Sequence, residues 1–457
     1  MPAPDLSTSP RAIWRLAWPQ TLMMYCVFIM SFTPVWTAGR ISAEVQAAFG
    51  MAAQCVIFLS ILCMGLSSGA TAAISQALGD RNGRRAGFYV TTTVALSFLL
   101  GLLLALPGYF FAEAIAGAVG LPEATRPAAC QIWRIMMAGL PLTYVYDATC
   151  VIFRATRRVI APLATAAGIM LLHAYLCIGS GLGCLGLPAL GLDGIAWAGV
   201  AANAAGAIAN CLLLWRLGLL ARRRIPSAAW LRRGLPYLLK VAGPACIAAL
   251  VWHSGYFVLF VLVSTVPFNR VASLAGLTAG LRIESILFLP GMAFHATAAV
   301  LVGNCLGAGQ REEAMRVSWT LIKSAVAVMS LAGLAMWPFR PELAAFLSED
   351  ALTQSYIVSY LSWNLASTPF SIASTVLGGV MVGAGATRYN LLTFGSTFWG
   401  LRIPLGWWLG HVLWQDASGV FCAMLVSQIV QSLAMCRVLQ SRRWQNFAMR
   451  SHRRGES

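Results

Sequence analysis

Residues 75–86 read SQALGDRNGRRA, the end of an apolar run followed by a short turn and three arginines. Residues 301–314, LVGNCLGAGQREEA, repeat the Leu-Gly pair 228 positions later, again with charged residues behind it. Each stretch closes a hydrophobic run of twenty or more residues. A helix of that length crosses a hydrocarbon layer about 30 Å thick. The chain is therefore predicted to contain two copies of one membrane-embedded unit.

Further landmarks recur at nearly the same offset, which stays between 225 and 228 positions. A nearly constant offset, with an even number of spans in each copy, predicts two repeats of the same orientation. Such repeats are related by an axis along the membrane normal. The recurring positions are Ala17-x-Pro19 with Ala242-x-Pro244, Pro141 with Pro369, and Gly194 with Gly419.

Composition places the chain in a membrane. Of its 457 residues, 59% are hydrophobic and only 10% are charged, and the mean hydropathy is +0.73. A soluble chain of this length carries far more charge. Breaks at proline, glycine and charged residues predict an all-α polytopic protein with twelve transmembrane helices in two six-helix lobes. The predicted spans are 13–35, 46–76, 87–113, 129–152, 161–183, 195–219, 239–265, 275–304, 317–341, 356–382, 389–414 and 418–439.

The arginines predict the orientation of these spans. A net charge of +17 can indicate nucleic-acid binding, but here the basic residues are spread over alternate connections between apolar runs. The positive-inside rule therefore predicts cytoplasmic termini and a multi-pass location in the inner membrane, with no nucleic-acid partner. The predicted segments are an N-terminal lobe over 1–219, a cytoplasmic linker over 220–238, a C-terminal lobe over 239–440 and a basic cytoplasmic tail over 441–457.

No pattern in the sequence predicts an enzyme, a cofactor or a metal site. The 12 cysteines are scattered without a C-x-x-C pair, which is typical of packing residues. GLSSG at 65–69 fits the hydrolase pattern G-x-S-x-G, but it lies inside an apolar helix and not after a strand. A G-x-x-x-x-G-K-[ST] phosphate loop does not occur, so the chain carries no ATPase motif of its own.

Six stretches occur in a fixed order on the twelve-span frame. They are SQALGDRNGRRA (75–86), LGLDGIAWAG (190–199), RIESILFLP (282–290), LVGNCLGAGQREEA (301–314), VGAGATR (382–388) and LRIPLGWWL (401–409). Together they resemble the MATE (multidrug and toxic compound extrusion) family over nearly the whole chain, and its DinF-like branch most. The resemblance implies two six-helix bundles around a central cleft. It also implies export of organic, often cationic compounds in exchange for protons or sodium ions.

The first lobe departs from the family pattern. In place of the aspartate of the first helix, the stretch FTPVWTAG (32–39) has Pro34. In the fifth helix, His173 and Cys177 occupy the places of an Asn and an Asp four residues apart. Proline binds no proton, and a cysteine is normally neutral near pH 7. The resemblance therefore predicts that the usual carboxylate cation site of this lobe is missing.

In the second lobe, Glu284 is the main candidate for cation coupling. At about 100° per residue, Gly291 and His295 lie within about 20° of Glu284, so the three form one stripe that should face the bundle interior. Intramembrane carboxylates mark ion pathways, so Glu284 could accept a proton or sodium ion. The alternative is a structural ion pair between the seventh and eighth spans. Arg282 points away from Glu284 and is predicted to snorkel or to contact another helix.

Several other ionisable residues lie in predicted spans. Asp147, seven residues before Arg154, is either a structural or gate residue or a relocated cation site. The pKa of an unperturbed histidine is near 6.5, so His253 and His173 are each either a proton switch or a hydrogen-bonded packing group. Arg402, two residues before Pro404, is predicted to set the inner geometry of the eleventh span.

The sequence thus predicts a secondary active exporter of small organic, amphipathic or cationic compounds. It is expected to be a monomer in the bilayer, to use no cofactor, and to be driven by a proton or sodium gradient through alternating access. The alternative is a flippase for a lipid-linked saccharide or related lipid precursor. Loss of the first-helix aspartate favours that alternative, whereas the small number of intramembrane arginines disfavours it.

Overall fold

The computed structural model describes residues 10–118, 126–220 and 226–449. Over these residues the chain is helical and contains no strand. Parts of the predicted linker (221–225) and of the basic tail (450–457) lie outside the described residues. The helices are α1 (Pro10–Ile41), α2 (Ala43–Gly79), α3 (Gly83–Phe110), α4 (Ala112–Ala118), α5 (Arg126–Ala155), α6 (Ile160–Leu182), α7 (Gly191–Arg216), α8 (Ala228–Ser264), α9 (Arg270–Gly307), α10 (Arg311–Met336), α11 (Arg340–Leu347), α12 (Ala351–Ala384), α13 (Thr387–Thr397), α14 (Ile403–Trp407) and α15 (Ala417–Gln440).

The predicted all-α fold is confirmed. Within the described ranges, eleven helical segments are long and apolar enough to cross a membrane, and each overlaps a predicted span. The predicted span 389–414 is the remaining one, and it is a helix of mixed type. In it α13 and α14 alternate with two π-helical turns, Phe398–Arg402 and Trp408–Leu413.

A proline explains the first π-helical turn. Pro404 has no N–H to donate to the carbonyl of Gly400, so the regular i→i−4 pattern is interrupted there. The N–H of Ile403 instead donates to the carbonyl of Phe398, five residues back. Such wide turns change the direction of the side chains on a helix. In this turn the side chain of Arg402 is buried.

The chain divides into two compact units, with the division inside α1 and α8. Of the described residues, unit 1 holds 22–242 and unit 2 holds 10–21 and 243–449. In unit 1, α5 packs against α2, α3 and α7, and α6 packs against α7. In unit 2, α12 packs most extensively against α9 and also against α10 and α15. The exact lobe boundaries given by the sequence stay a prediction.

Glycines bring α9 and α12 into close backbone contact. A Cβ at Gly379 would collide with the carbonyl oxygen of His295, and one at Gly383 with that of Ala299. Small residues four apart are the usual means by which membrane helices approach each other. The contact therefore fixes the rotation of α9 relative to α12, which decides which α9 side chains face inward.

The short helices α4 and α11 occupy equivalent positions in the two copies of the repeat. They begin at Ala112 and Arg340, which are 228 positions apart, and each follows a long apolar helix. With 7 and 8 residues they are too short to span a bilayer. Exposed Phe111 and Phe346 lie at these helices. Aromatic residues of this kind are typical of the membrane–water interface.

The segment after α15 packs back onto unit 2. Trp444 is fully buried, and its Nε1 donates to the carbonyl of Leu439 at 2.9 Å. Neighbouring residues contact the α9–α10 and α12–α13 connections. These contacts are the ion pair of Arg442 with Glu312, a hydrogen bond from Gln445 Nε2 to the Arg311 carbonyl at 3.2 Å, and the Arg388 guanidinium 4.0 Å from the centre of the Phe447 ring.

Candidate functional site

Glu284 lies on the face of α9 that packs against α12. Its Oε2 accepts a hydrogen bond from the hydroxyl of Tyr360. Asn364, one turn further along α12, also hydrogen-bonds to the carboxylate. Gly280, one turn before Glu284, leaves room for the Tyr360 ring, because a Cβ there would collide with it. The half-buried carboxylate is thus held by two polar side chains of one neighbouring helix.

Arg402 brings a positive charge into the same region of unit 2. Its side chain is 2% exposed, and its Nε donates to Ser427 Oγ at 2.7 Å. The guanidinium carbon lies 4.3 Å from the centre of the Phe398 ring, and Tyr256 of α8 hydrogen-bonds to it. Arg402 and Glu284 also interact electrostatically. A buried guanidinium is costly without a compensating negative charge, and Glu284 supplies one.

These residues form the Glu284 cluster, defined here as Glu284, Tyr360, Asn364, Arg402 and Tyr256. It combines one acid, one base, two hydroxyls and one amide. A carboxylate with neighbouring hydroxyl and amide oxygens can bind a proton or a hard cation such as sodium. Because Arg402 stays charged, the cluster is electrically neutral only while Glu284 is ionised.

The predicted stripe on α9 does face the interior of its bundle. Nδ1 of His295 lies 2.8 Å from the carbonyl oxygen of Thr375 on α12, and Gly291 packs against Ile372. Arg282 is exposed, as its position on the opposite side of the helix predicts. The structural alternative placed the partner of Glu284 on the seventh span. The direct hydrogen bonds go instead to α12, which is the tenth span.

The corresponding interior of unit 1 has a different lining. Pro34 is buried in α1, and Sγ of Cys177 on α6 lies 3.6 Å from Oγ1 of Thr37, one turn after Pro34. His173, one turn before Cys177, is 3% exposed. Its Nδ1 has no hydrogen-bond partner among the described residues, and its Nε2 lies beside Gly199. The structure thus brings the three departing positions into one region without a carboxylate among their described contacts.

The other candidates lie on different helices from Glu284. Asp147 is exposed on α5, whose neighbouring side chains are mostly buried, and interacts electrostatically with Arg154 two turns later. His253 is half-buried on α8, with its ring 5.0 Å from that of Trp252. Within the described ranges, no group of His, Cys, Asp and Glu is arranged to hold a metal ion.

The sequence alone did not identify the partners of Glu284. The sequence contains one indication of Tyr360 and Asn364. They are four residues apart, so both lie on one face of an apolar helix. Tyr256 and Ser427 carry none, because a single hydroxyl in an apolar helix is more often a packing residue. Their involvement depends on how four helices pack, which the order of residues does not reveal.

In the described part of the chain, eleven apolar helices, the mixed helix over 387–413 and a carboxylate held inside one bundle are typical of a polytopic membrane transporter. The MatE family profile matches residues 19–178 and 244–408, which is most of the chain. The protein belongs to the MatE family, as the resemblance predicted. It is therefore a transporter and not an enzyme, and the predicted absence of a catalytic role is confirmed by that membership.

Relatives match over nearly their whole length. The chain is 25% identical over 434 residues to the "Probable multidrug resistance protein NorM" of Mesorhizobium japonicum, covering 87% of this chain and 88% of the relative. It is 24% identical over 420 residues to the "Multidrug resistance protein PmpM" of Pseudomonas aeruginosa, covering 90% and 86%. "Protein DETOXIFICATION 39" of Arabidopsis thaliana is 23% identical over 453 residues, covering 97% and 86%.

Solved structures agree on the fold. The "Crystal structure of MATE in the straight conformation" superposes with a TM-score of 0.86 at 17% identity and covers 95% of this chain and 96% of that one. The "Outward-facing conformation of a multidrug resistance MATE family transporter of the MOP superfamily" gives a TM-score of 0.86 at 17% identity, covering 98% and 99%. The flippase alternative receives no support from these relatives.

Proposed function

We propose that this protein exports small organic, amphipathic or cationic compounds in exchange for protons or sodium ions, by alternating access, with Glu284 as the coupling acid. Multidrug resistance proteins among its relatives support the substrate class. The arginine-rich connections support an inner-membrane location with cytoplasmic termini. The protein is expected to act as a monomer and to need no cofactor.

The observation that carries the proposal is the position of Glu284 in unit 2. Its carboxylate is held by Tyr360 and Asn364 close to a buried guanidinium. Binding of a cation at Glu284 neutralises the carboxylate and leaves Arg402 without its compensating charge. The ion-bound and ion-free forms therefore differ in internal electrostatic energy. A ligand shifts a conformational equilibrium only through such a difference, which alternating access requires.

Roles for the remaining candidates follow from their surroundings. Asp147 is proposed as a gate residue that acts with Arg154, since it lies on the surface of unit 1. His295 and His173 are proposed as packing groups, because each is enclosed by neighbouring helices. His253, on the same helix as Tyr256, is the histidine proposed to respond to pH.

The test is transport by purified protein in liposomes, with a proton gradient or a sodium gradient imposed separately. We expect export of ethidium under one of the two gradients, which names the ion. Glu284→Gln keeps the shape of the side chain but removes its charge, so gradient-driven export should fall to background. Export by this variant at the rate of the unchanged protein would remove Glu284 from the coupling role.

Cys177→Ser is the matched control, because it alters the equivalent region of unit 1 without adding or removing a charge. Its export should stay close to that of the unchanged protein under the same gradient. The thermal unfolding of each variant in detergent separates loss of coupling from loss of folding. Absence of export under both gradients, from protein that unfolds cooperatively, contradicts the exporter itself.

A further inference from the structure

Unit 1 contains a groove of about 890 Å³ that the proposed transport cycle does not use. It lies at the end of the unit where α3 ends and α5 and α7 begin. The floor is the first part of α5, and the walls are the α3–α4 corner and the start of α7. Its polar lining consists of Glu113, Arg126, Gln131, Arg134 and Asp193.

The groove opens away from the interior of the unit. α5 packs against α2, α3 and α7, and residues Ala129, Ile132 and Ile135 belong to the buried core shared with α2 and α7. Gln131 and Ala138 are exposed on the remaining face of α5, which is the floor of the groove. A molecule in the groove would therefore reach it from outside unit 1 and not through the region of Cys177.

The positive and negative charges of the groove are balanced. Arg134 on the floor forms an ion pair with Glu113 on one wall at 2.9 Å, and Gln131 donates to Asp193 on the other wall at 2.7 Å. Arg126 has a buried Nε without a hydrogen-bond partner among the described residues. Two guanidinium groups and two carboxylates give a formal net charge of zero. Such a lining suits a ligand that is neutral overall and carries both charges.

Aromatic side chains surround the mouth of the groove. Tyr109 and Trp197 line it, and Phe110 and Phe111 beside it are among the more exposed apolar residues of the protein. Exposed aromatic residues at a helix end are typical of the level of the lipid headgroups. At this level of the membrane, zwitterionic phospholipids are the most abundant molecules that carry both charges.

We propose that this groove binds the headgroup of a phospholipid that carries a phosphate and a primary ammonium, as in phosphatidylethanolamine. Arg126 and Arg134 on the floor bind the phosphate, because guanidinium groups suit phosphate oxygens. Asp193 and Glu113 on the walls accept hydrogen bonds from the ammonium. A trimethylated ammonium has no N–H to donate, and a glycerol headgroup has no positive charge. Both should therefore bind more weakly.

The first test is native mass spectrometry of the full-length protein with equimolar phosphatidylethanolamine, phosphatidylcholine and phosphatidylglycerol. We expect phosphatidylethanolamine to be retained about tenfold over the other two, the gain expected for a charge-assisted hydrogen bond. Asp193→Asn should abolish this preference, because the wall carboxylates recognise the ammonium. Arg126→Ala should instead lower the retention of all three lipids, since each carries the phosphate. Arg216→Ala is the matched control, since it removes an exposed arginine at the other end of the same unit. Equal retention of all three lipids by the unchanged protein overturns the proposal.

Two further arms keep the result unambiguous. Gly117→Val leaves every charge in place but displaces the Arg126 guanidinium, which packs where a Cβ of residue 117 would lie. It should therefore lower the retention of all three lipids as Arg126→Ala does, and unchanged retention by both folded variants contradicts the site. Free phosphoethanolamine should compete with the lipid, whereas inorganic phosphate should not. If phosphoethanolamine binds but the lipid does not, the groove recognises the headgroup chemistry in soluble form and the lipid assignment fails.

Discussion

The two units share a repeat but differ in the chemistry of their interiors. In unit 2 a carboxylate of α9, a hydroxyl of α12, a hydroxyl of α8 and the guanidinium of Arg402 meet in the Glu284 cluster. In unit 1 the region of Pro34 and Cys177 contains a proline, a thiol and a threonine hydroxyl. An internal duplication can therefore keep the arrangement of helices in both copies while only one copy has an acid and a base among these interior residues. The coupling machinery is proposed to be asymmetric for that reason.

The largest loss of stability is expected at the contact between α9 and α12, where the two units differ in their small residues. Gly379 and Gly383 of α12 correspond to Val151 and Ala155 of α5, at the offset that relates Pro141 to Pro369. Gly379→Val places the unit 1 side chain against the backbone of α9, where a Cβ already collides. Overpacking of this kind costs about 1–3 kcal/mol and more when backbone must move.

Thermal unfolding in detergent, together with the yield of monodisperse protein, measures this effect. Ala155→Gly in unit 1 is the control and should cost only about 0.5–1 kcal/mol, the usual penalty for glycine inside a helix. Equal losses for the two variants would mean that the units tolerate the same packing, and the contrast between them would disappear.

A double-mutant cycle at Glu284 and Arg402 gives an intermediate effect. Glu284→Gln leaves the buried guanidinium without compensation, and Arg402→Met leaves the carboxylate without it. Changing both restores a neutral, well-filled interior, so the pair should show a favourable coupling of about 0.5–3 kcal/mol in unfolding free energy. The double variant should therefore regain stability but not gradient-driven export.

The readouts of that cycle are unfolding in detergent and export from liposomes. If the two losses of stability add, the charges of Glu284 and Arg402 have no energetic interaction, and the cluster is not a functional unit. Recovery of export in the double variant would place the coupling acid elsewhere, with Asp147 the next residue to replace.

The smallest effect is a pH-dependent change in stability at the N-terminal ends of α15 and α7, which are equivalent helices of the two units. Asp416 caps α15, with hydrogen bonds from the Tyr356 hydroxyl at 2.6 Å and from the N–H of Ser418 at 2.8 Å. Partial burial alone would raise the pKa of Asp416, but these hydrogen bonds outweigh it and lower the pKa below its ordinary value. In unit 1, Leu190 is the N-cap residue of α7 and makes no side-chain capping hydrogen bond.

A lowered pKa means that ionised Asp416 stabilises the folded state above the ordinary value of about 3.9, and that this contribution is lost as the pH falls through the lower folded pKa. The unfolding temperature of Asp416→Asn should be below that of the unchanged protein at neutral pH. The difference should close in acid, below about pH 4. Exposed Glu349→Gln serves as the control and should leave the curve unchanged. A difference that persists in acid would contradict the capping role.

The positions of most membrane-spanning helices could be predicted from the sequence, because the length of a hydrophobic segment decides whether it can span a bilayer. Ala17-x-Pro19 and Ala242-x-Pro244 marked the two copies correctly. The short helices α4 and α11 were missed, since seven or eight residues lie below the length that a spanning segment needs. The π-helical turns were also missed, although Pro404 marks one of them.

The candidate site was predictable only in part. Helical periodicity was enough to place Glu284, Gly291 and His295 on one inward face, since it depends only on spacing along α9. It could not name Tyr360 or Arg402 as neighbours. Tyr360 depends on how close α9 comes to α12, and Arg402 depends on the π-helical turn in which it lies. Gly379 and Gly383 set that approach, and their effect becomes visible only when the facing backbone is known.

The buried Trp444 has a consequence for the order in which the protein is made. The ribosome adds residue 444 only after every helix of unit 2 has been synthesised. This segment contacts the α9–α10 and α12–α13 connections. Those contacts can form only after translation has passed α15. Domains generally fold as units during synthesis. Unit 2 can reach its finished state only after the last membrane helix has emerged.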